Sequence, residues 1–356
     1  MPFLTDMFHE NNKNHPTDSA GGSCTRADVP ASQPSQGIKN GGFSPDELTA
    51  RLGERIIGQD AAIATVVRAV TLAQCGLCDP VRPLANILLV GPTGVGKTEL
   101  VRRVAAELRS GPDDLCRIDM NALAQEHYAA SFSGAPPGYA GSKESFTLFD
   151  KGTIEGDPYT PGIVLFDEIE KADRTVLRAL LQILDSGVLH LANGERTISF
   201  RNSYIFMTSN LGSRSISQSK RRIASRFGLA RDGATVARRE LERFFDPEFF
   251  NRIDETVILR EFTQETAMRV ARLELDLLSQ RLARRSVVLT TSPAAVSTLA
   301  DRGFDPVYGA RGLRRAIREL VSAPLARELV RVRPVGTRRV TATVNATGKA
   351  LHVQVS

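Results

Sequence analysis

The sequence predicts an α/β protein: a parallel sheet covered by helices on both faces, followed by a smaller α+β domain. Three observations carry this. A short apolar run, Asn86 to Val90 (NILLV), ends in the stretch Gly91-Pro92-Thr93-Gly94-Val95-Gly96-Lys97-Thr98 and passes into a helical segment reaching Arg109. Further short apolar runs alternate with helix-length segments, the pattern of strands buried on both faces by crossover helices. After Arg260 the alternation gives way to helical stretches and two β-prone runs.

Residues 1–42 are rich in Asn, Ser, Gly, Pro and Asp and have no apolar period. Such a segment buries too little surface to offset its ordering entropy, so a disordered tail is expected. Ser44-Pro45-Asp46-Glu47 then forms a helix start: Ser as N-cap, Pro in the first turn, Glu three residues after the cap. Ile63, Val66, Val67 and Val70 recur at helical spacing and predict a helix over Asp60 to Gln74. Short buried strands are expected at Arg117–Met120, Gly162–Phe166 and Tyr204–Ser209. Asn193-Gly194, between two β-prone runs from Val188 to Phe200, is a hairpin signal. Helices over about 264–285, 292–302 and 310–332, then strands at Arg339–Val344 and Ala350–Val355, make up the second domain. The expected divisions are 1–42, 43–260 and 261–356.

The length of 356 residues suits about two domains. Hydrophobic residues at 42% and charged residues at 24% allow a sizeable core. No run approaches the roughly eighteen apolar residues of a membrane helix. The start, MPFLTDMFHENNKNH, lacks the basic and apolar regions of a signal peptide, so a cytoplasmic protein is expected, with no membrane partner. Four cysteines are no disulfide framework here, and Cys75-x-x-Cys78 lacks the further ligands of a zinc site. The net charge of +6 is uneven: Phe262 to Ser356 holds sixteen Lys/Arg against seven Asp/Glu, and the rest is net negative. That basic module suits a nucleic-acid face or a surface that meets phosphates and acidic neighbours.

The stretch from Gly91 to Thr98 matches G-x-x-x-x-G-K-[ST] directly after a strand, the context of a phosphate-binding loop. Its glycines let backbone N–H groups close around phosphates at a helix N-terminus. Lys97 is placed to bridge the β- and γ-phosphates of ATP, and Thr98 to hold Mg²⁺ through its hydroxyl. Asp167 and Glu168 follow the apolar run Ile163-Val164-Leu165-Phe166, so a buried strand delivers two carboxylates beside that loop. Asp167 is expected to orient the Mg²⁺, and Glu168 to act as general base toward the attacking water. Asn210 follows a third strand, where an amide can hydrogen-bond that water; in isolation it reads sooner as a turn residue or helix cap, and its company raises it.

The residues IIGQD (56–60), GPTGVGKT (91–98), FDEIEKA (166–172), MTSNLGS (207–213), FFNRID (249–254) and YGARGLRRAI (308–317) resemble, in order and spacing, the Clp-type AAA+ unfoldases. The likeness is to the second ATPase module of the ClpB, ClpC and ClpA chaperones, and it covers about residues 45–356. It implies a hexameric ring with ATP sites between subunits and identifies the C-terminal domain as the AAA+ lid. By this resemblance Asn210 is the sensor that polarises the lytic water. Arg252 is the arginine finger that reaches a neighbour's γ-phosphate, and Arg311 is the lid arginine that touches phosphate in its own subunit. Gly312 stands where the family commonly has proline. Ile56 and Ile57 line the adenine pocket by the same likeness, or are plain core residues.

Tyr139, in the loop GAPPGYAG (134–141), corresponds to the aromatic that grips polypeptide in the ring's channel; otherwise it is a surface tyrosine capping a loop. Phe227-Gly228-Leu229 stands either as a hook that docks a protease ring or as a packing turn at a helix end. The resemblance therefore implies an ATP-driven motor that threads unfolded or tagged polypeptide; a protease ring is a partner only if Phe227-Gly228-Leu229 is a hook, and the N-terminal tail offers a place for an adaptor. Two alternatives remain at this level: a nucleic-acid-remodelling AAA+ ATPase, and a nucleotide-gated scaffold. The first is weakened because no DNA-reading module follows the lid, the second because Lys97, Asp167, Glu168, Asn210, Arg252 and Arg311 are all present.

Overall fold

The computed structural model describes residues 43–125, 149–157, 159–190, 197–211, 233–305, 308–332, 340–348 and 350–356. The expected tail, the hairpin turn at Asn193-Gly194, Tyr139 and the tripeptide Phe227-Gly228-Leu229 lie outside the described residues. Helices α1 (Pro45–Arg55) and α2 (Asp60–Gln74) precede strand β1 (Ala85–Val90) and helix α3 (Lys97–Leu108). Strand β2 (Cys116–Asp119), helix α4 (Lys151–Glu155), β3 (Gly162–Asp167) and α5 (Arg174–Ser186) follow. A ribbon of β4 (Val188–His190) and β5 (Thr197–Ser199) leads to β6 (Ser203–Ser209), α6 (Gly233–Phe244), α7 (Pro247–Phe250) and β7 (Glu255–Ile258).

Local chemistry accounts for the first helices. The Ser44 hydroxyl accepts from the Glu47 N–H at 3.3 Å, and Pro45 opens α1 where its missing N–H costs nothing. Ile63, Val66, Val67 and Val70 form the buried face of α2.

Five parallel strands form one sheet in the order β2-β3-β6-β1-β7. Strands β1, β3 and β6 are buried at every position, which explains their unbroken apolar character. Their pleat divides the side chains between two layers. Leu88, Val90, Phe166 and Met207 pack with Val176, Leu180 and Ile183 of α5. Ile87, Leu89, Leu165 and Phe206 pack with residues of α1, α2 and α3.

The second part comprises α8 (Gln264–Ala283), β8 (Val287–Thr291), α9 (Pro293–Gly303), α10 (Ala310–Ile317), α11 (Ala323–Val332), β9 (Val340–Thr347) and β10 (Ala350–Val355). Its sheet runs β10-β9-β8, with β8 parallel and β10 antiparallel to β9. A separate core surrounds Ala271, Leu299, Leu313, Val321 and Ala342.

Two strands depart from the sequence expectation. Strand β7 was not expected because it is four residues long, begins Glu-Thr and sits at a sheet edge. Strand β8 falls in the interval between the expected helices 264–285 and 292–302, for which no strand was expected; the chain leaves α8 through Ser286, at φ +58, before pairing with β9. The single helix expected over 310–332 is interrupted by a π-helical turn, Arg318–Ser322. Pro324 follows that turn and cannot donate to an i−4 carbonyl, so a wider turn there costs less than in a regular helix. The strand expected at Ala350–Val355 has those bounds, whereas several other strand ends differ by a residue or more; Asp167 is the last residue of β3 rather than the first beyond it.

The second part rests directly on the loop after β1. The Ala310 N–H donates to Gly94 O at 3.0 Å. Gly309 has φ +52, and a Cβ on it would lie 2.7 Å from that same carbonyl. Gly309→Ala is therefore expected to lose about 1–3 kcal/mol of stability from the left-handed backbone alone, and to weaken nucleotide binding by displacing Gly94. Thermal unfolding and titration with a fluorescent nucleotide check both effects; unchanged affinity would disprove the coupling.

Candidate active site

Parallel register brings the C-terminal ends of β1, β3 and β6 to one edge of the sheet, where crossover folds place their ligands. There Asp167, Glu168, Asn210 and the loop after β1 meet. A cleft of about 590 Å³ opens at this edge, and its lining includes Ile56, Ile57, Thr93 to Thr98, Asp167, Glu168, Asn210 and Arg311. Ile56 is buried and Ile57 half-buried at its wall. Gly91 and Pro92 contribute through their carbonyls.

Lys97 is the first residue of α3 and is buried. Its Nζ donates to Gly91 O at 2.6 Å, Pro92 O at 2.8 Å and Asn210 Oδ1 at 2.8 Å. Gly96, at φ +109, caps α3 without a side chain, so the first N–H groups of the helix meet no capping oxygen. Burial pulls the Lys97 ammonium down from 10.5 to about 8. Glu170, Asp167 and Glu168 act against that, while Arg311 adds to the lowering.

Asp167 is held on both oxygens. Oδ1 accepts from the Thr208 hydroxyl and, at 3.5 Å, from Thr98. Oδ2 takes both Nε (3.1 Å) and Nη2 (2.6 Å) of Arg117. Glu168 adopts φ +59 and ψ +54, a left-handed backbone that costs a non-glycine residue about 1–3 kcal/mol. Its N–H donates to the Thr208 hydroxyl at 2.9 Å, so one side chain secures both acidic residues. Asn210 Nδ2 approaches Glu168 Oε1 at 3.4 Å, and its backbone N–H donates to Glu170 Oε1 at 3.0 Å. The result is a connected chain from Lys97 through Asn210 to Glu168.

Sequence reasoning missed Arg117, Thr208 and Glu170. Arg117 carried a signal: β2 alternates buried and exposed residues, so an arginine in its middle points away from the core. Thr208 and Glu170 lay inside motifs whose neighbours drew the attention. Arg252 is not in the cleft. It pairs with Asp185 Oδ1 at 2.8 Å near the start of β1, the end remote from the loop. Arg311 lines the cleft from α10, and Gly312 sits within that helix without breaking it.

A phosphate loop opening a helix, with a carboxylate pair and an amide converging on it, defines a P-loop nucleotide-binding ATPase. Residues 82–256 match the family model described as "AAA domain (Cdc48 subfamily)", and residues 262–341 match the "C-terminal, D2-small domain, of ClpB protein". A Rhodococcus erythropolis protein called "ATP-dependent protease ATP-binding subunit-like protein" is 59% identical over 99% of both chains. A Pseudomonas aeruginosa protein, "ATP-dependent protease ATP-binding subunit-like protein AmiB", is 38% identical over 93% of each. The ClpB chaperone of Meiothermus ruber is 41% identical over 80% of this chain, which spans 32% of that longer protein. The chain belongs to the Clp-type AAA+ ATPases, the family of the ClpB and ClpC chaperones.

The lysine shift has a measurable consequence. Anionic phosphates favour the charged ammonium, so nucleotide affinity should fall as pH rises above about 8, by up to tenfold per unit. Binding at about pH 9 should take up close to one proton per site, read by calorimetry in buffers of different ionisation heat. Binding without proton uptake would show that Lys97 is not depressed. The sign for stability is the reverse: the unfolded chain holds the extra proton between about 8 and 10.5, so the nucleotide-free fold gains stability across that window.

Proposed function

We propose that this ATPase works as a ring motor that unfolds or remodels proteins, spending ATP to draw polypeptide through a central channel. The observation that supports it best is the placement of its two groups of functional residues. Lys97, Asn210 and Glu168 form one hydrogen-bonded array in the cleft, whereas Arg252 stands outside it, beyond reach of its own site. An arginine so placed suits a phosphate bound by an adjoining subunit, and a closed ring of copies, a homo-hexamer by family likeness, supplies one at every interface.

In this reading the domains divide at 43–260 and 261–356. The P-loop from Gly91 to Thr98 holds the ATP phosphates, with Ile56 and Ile57 against the base. Lys97 neutralises β- and γ-phosphate charge, and Arg311 adds a second cation from the lid. Thr98 and Asp167 supply hard oxygen donors that fit Mg²⁺. Among the described residues no cluster of three or more acidic, His or Cys side chains stands ready for a metal, which suits an ion completed by phosphate oxygens and water. Bound there, Mg²⁺ supplies charge neutralisation on the phosphates. Glu168 accepts the proton of the attacking water, and Asn210 holds that water in line through the amide that already reaches Glu168.

Tyr139 is the proposed grip on the threaded chain, since an aromatic offers large apolar contact at low entropy cost. Two relatives carry protease-subunit names, so a protease ring docking at Phe227-Gly228-Leu229 is the proposed partner. The substrates are unfolded or tagged polypeptides, and the location is cytoplasmic. Among the described residues no helix is long and apolar enough to cross a membrane.

Glu168→Gln should bind ATP yet lose turnover about a hundredfold or more; hydrolysis at the wild-type rate would remove Glu168 as base. Tyr139→Ala should keep basal ATPase but lose unfolding of a tagged fluorescent protein, while Tyr139→Phe retains both. If Tyr139→Ala unfolds that substrate as well as wild type does, the motor reading loses its grip residue.

A further inference from the structure

The loop that presents Arg252 is secured by an arrangement that the cleft chemistry does not use. Two side chains bridge the same two carbonyls. Asn86 Nδ2 donates to Leu184 O at 3.1 Å and to Arg252 O at 3.0 Å. Arg82 donates from Nε to Leu184 O at 3.3 Å and from Nη2 to Arg252 O at 2.9 Å. Leu184 lies in the last turn of α5, where carbonyls lack partners within the helix. The bridges thus tie the end of α5 to the Arg252 segment and both to the start of β1. Asp254 completes the tie. It pairs with Arg82 at 3.0 Å, accepts from the Asn86 N–H at 2.7 Å, and donates its own N–H to Asn86 O at 2.9 Å.

We propose that Asn86 and Arg82 are positioning residues for Arg252, holding the backbone from which its guanidinium reaches phosphate on an adjoining subunit; this rests on the ring reading above. The relative strength of the contacts supports it. The Arg252 guanidinium is held by one ion pair with Asp185, both partners well exposed, and such pairs contribute little. It exchanges easily for a phosphate. The Arg252 carbonyl beneath it accepts two hydrogen bonds, one from Asn86 and one from Arg82, and the same two side chains anchor it to Leu184 O; Asn86 is fully buried, so this backbone does not move so easily. Asn86 serves here as a donor: two carbonyls face its nitrogen, and its Oδ1 has no partner among the described residues. Strand β1 then links two sites. Asn86 lies near its start and Gly91 follows its end, about 16 Å away at 3.3 Å per residue. The finger offered outward and the loop that holds a subunit's own nucleotide are thus mounted on one rigid strand.

A double-mutant cycle in the full chain tests this. Asn86→Ala should lower kcat about tenfold to a hundredfold, the loss expected when a reacting group is displaced by about an ångström. The Kd for a fluorescent ATP analogue should stay at the wild-type value. Added to Arg252→Ala, it should cause no further loss, because the group it positions is already gone. Losses that multiply, or a weakened Kd, would place the effect of Asn86 on its own P-loop and overturn the proposal. Arg82→Ala, at a partly exposed residue, must give the same pattern, and it decides the matter if Asn86→Ala does not fold. Wild-type turnover by Arg252→Ala itself is a distinguishable failure: it would remove the finger, and this inference with it.

Discussion

A buried ammonium needs oxygen acceptors around it, and Lys97 finds three, from the loop after β1 and from the end of β6. Burial works against the charge and lowers its pKa to about 8; the acceptors and the nearby carboxylates keep it charged near neutral pH. Satisfying that one group draws the loop inward, starts α3 at the cleft and fixes Asn210 opposite Glu168. The rest of the site is arranged around this demand, and the phosphates of a nucleotide are the natural further partners for the same charge.

The acidic side of the cleft is built by a comparable economy. Glu168 holds a backbone conformation that costs free energy, and it persists because Thr208 accepts its N–H while donating to Asp167. Arg117 takes the other oxygen of Asp167 from the exposed face of β2. The two carboxylates are neighbours in sequence but have different environments. Asp167 is surrounded by donors from Thr208, Thr98 and Arg117, which fix the carboxylate in place. Among the described residues the Glu168 carboxylate meets the amide of Asn210 at 3.4 Å, a longer and looser contact than those that hold Asp167.

Both parts of the chain act on the loop after β1. Gly94 and Gly309 approach so closely that neither tolerates a Cβ, and the Ala310 N–H closes the contact. Lid position and loop shape are therefore mechanically joined, and Arg311 enters the cleft on the helix that begins at this contact. At the opposite end of β1, Asn86 and Arg82 hold the Arg252 segment. One strand buried at every position connects lid contact, phosphate loop and outward arginine, and close packing on both faces makes it a stiff link.

Much of this was legible in the residues. The phosphate loop, the acid pair and the strand–helix alternation followed from unbroken apolar runs and glycine spacing, because strands buried on both faces leave no other composition available. The α1 cap and the buried face of α2 were likewise local and readable. Strands β7 and β8 were not, since a short edge strand and a strand after a helical run are selected by the neighbours they pair with rather than by their own period. Nor could spacing assign the partners of Asp167, the hold of Glu170 on Asn210, or the bridging of Leu184 and Arg252 by residues some hundred or more positions away. The sequence by itself determined which chemical groups exist and which short segments present them. Only the tertiary structure decided which of them meet, because hydrogen bonds between groups far apart in the chain form only after packing has brought their strands into register.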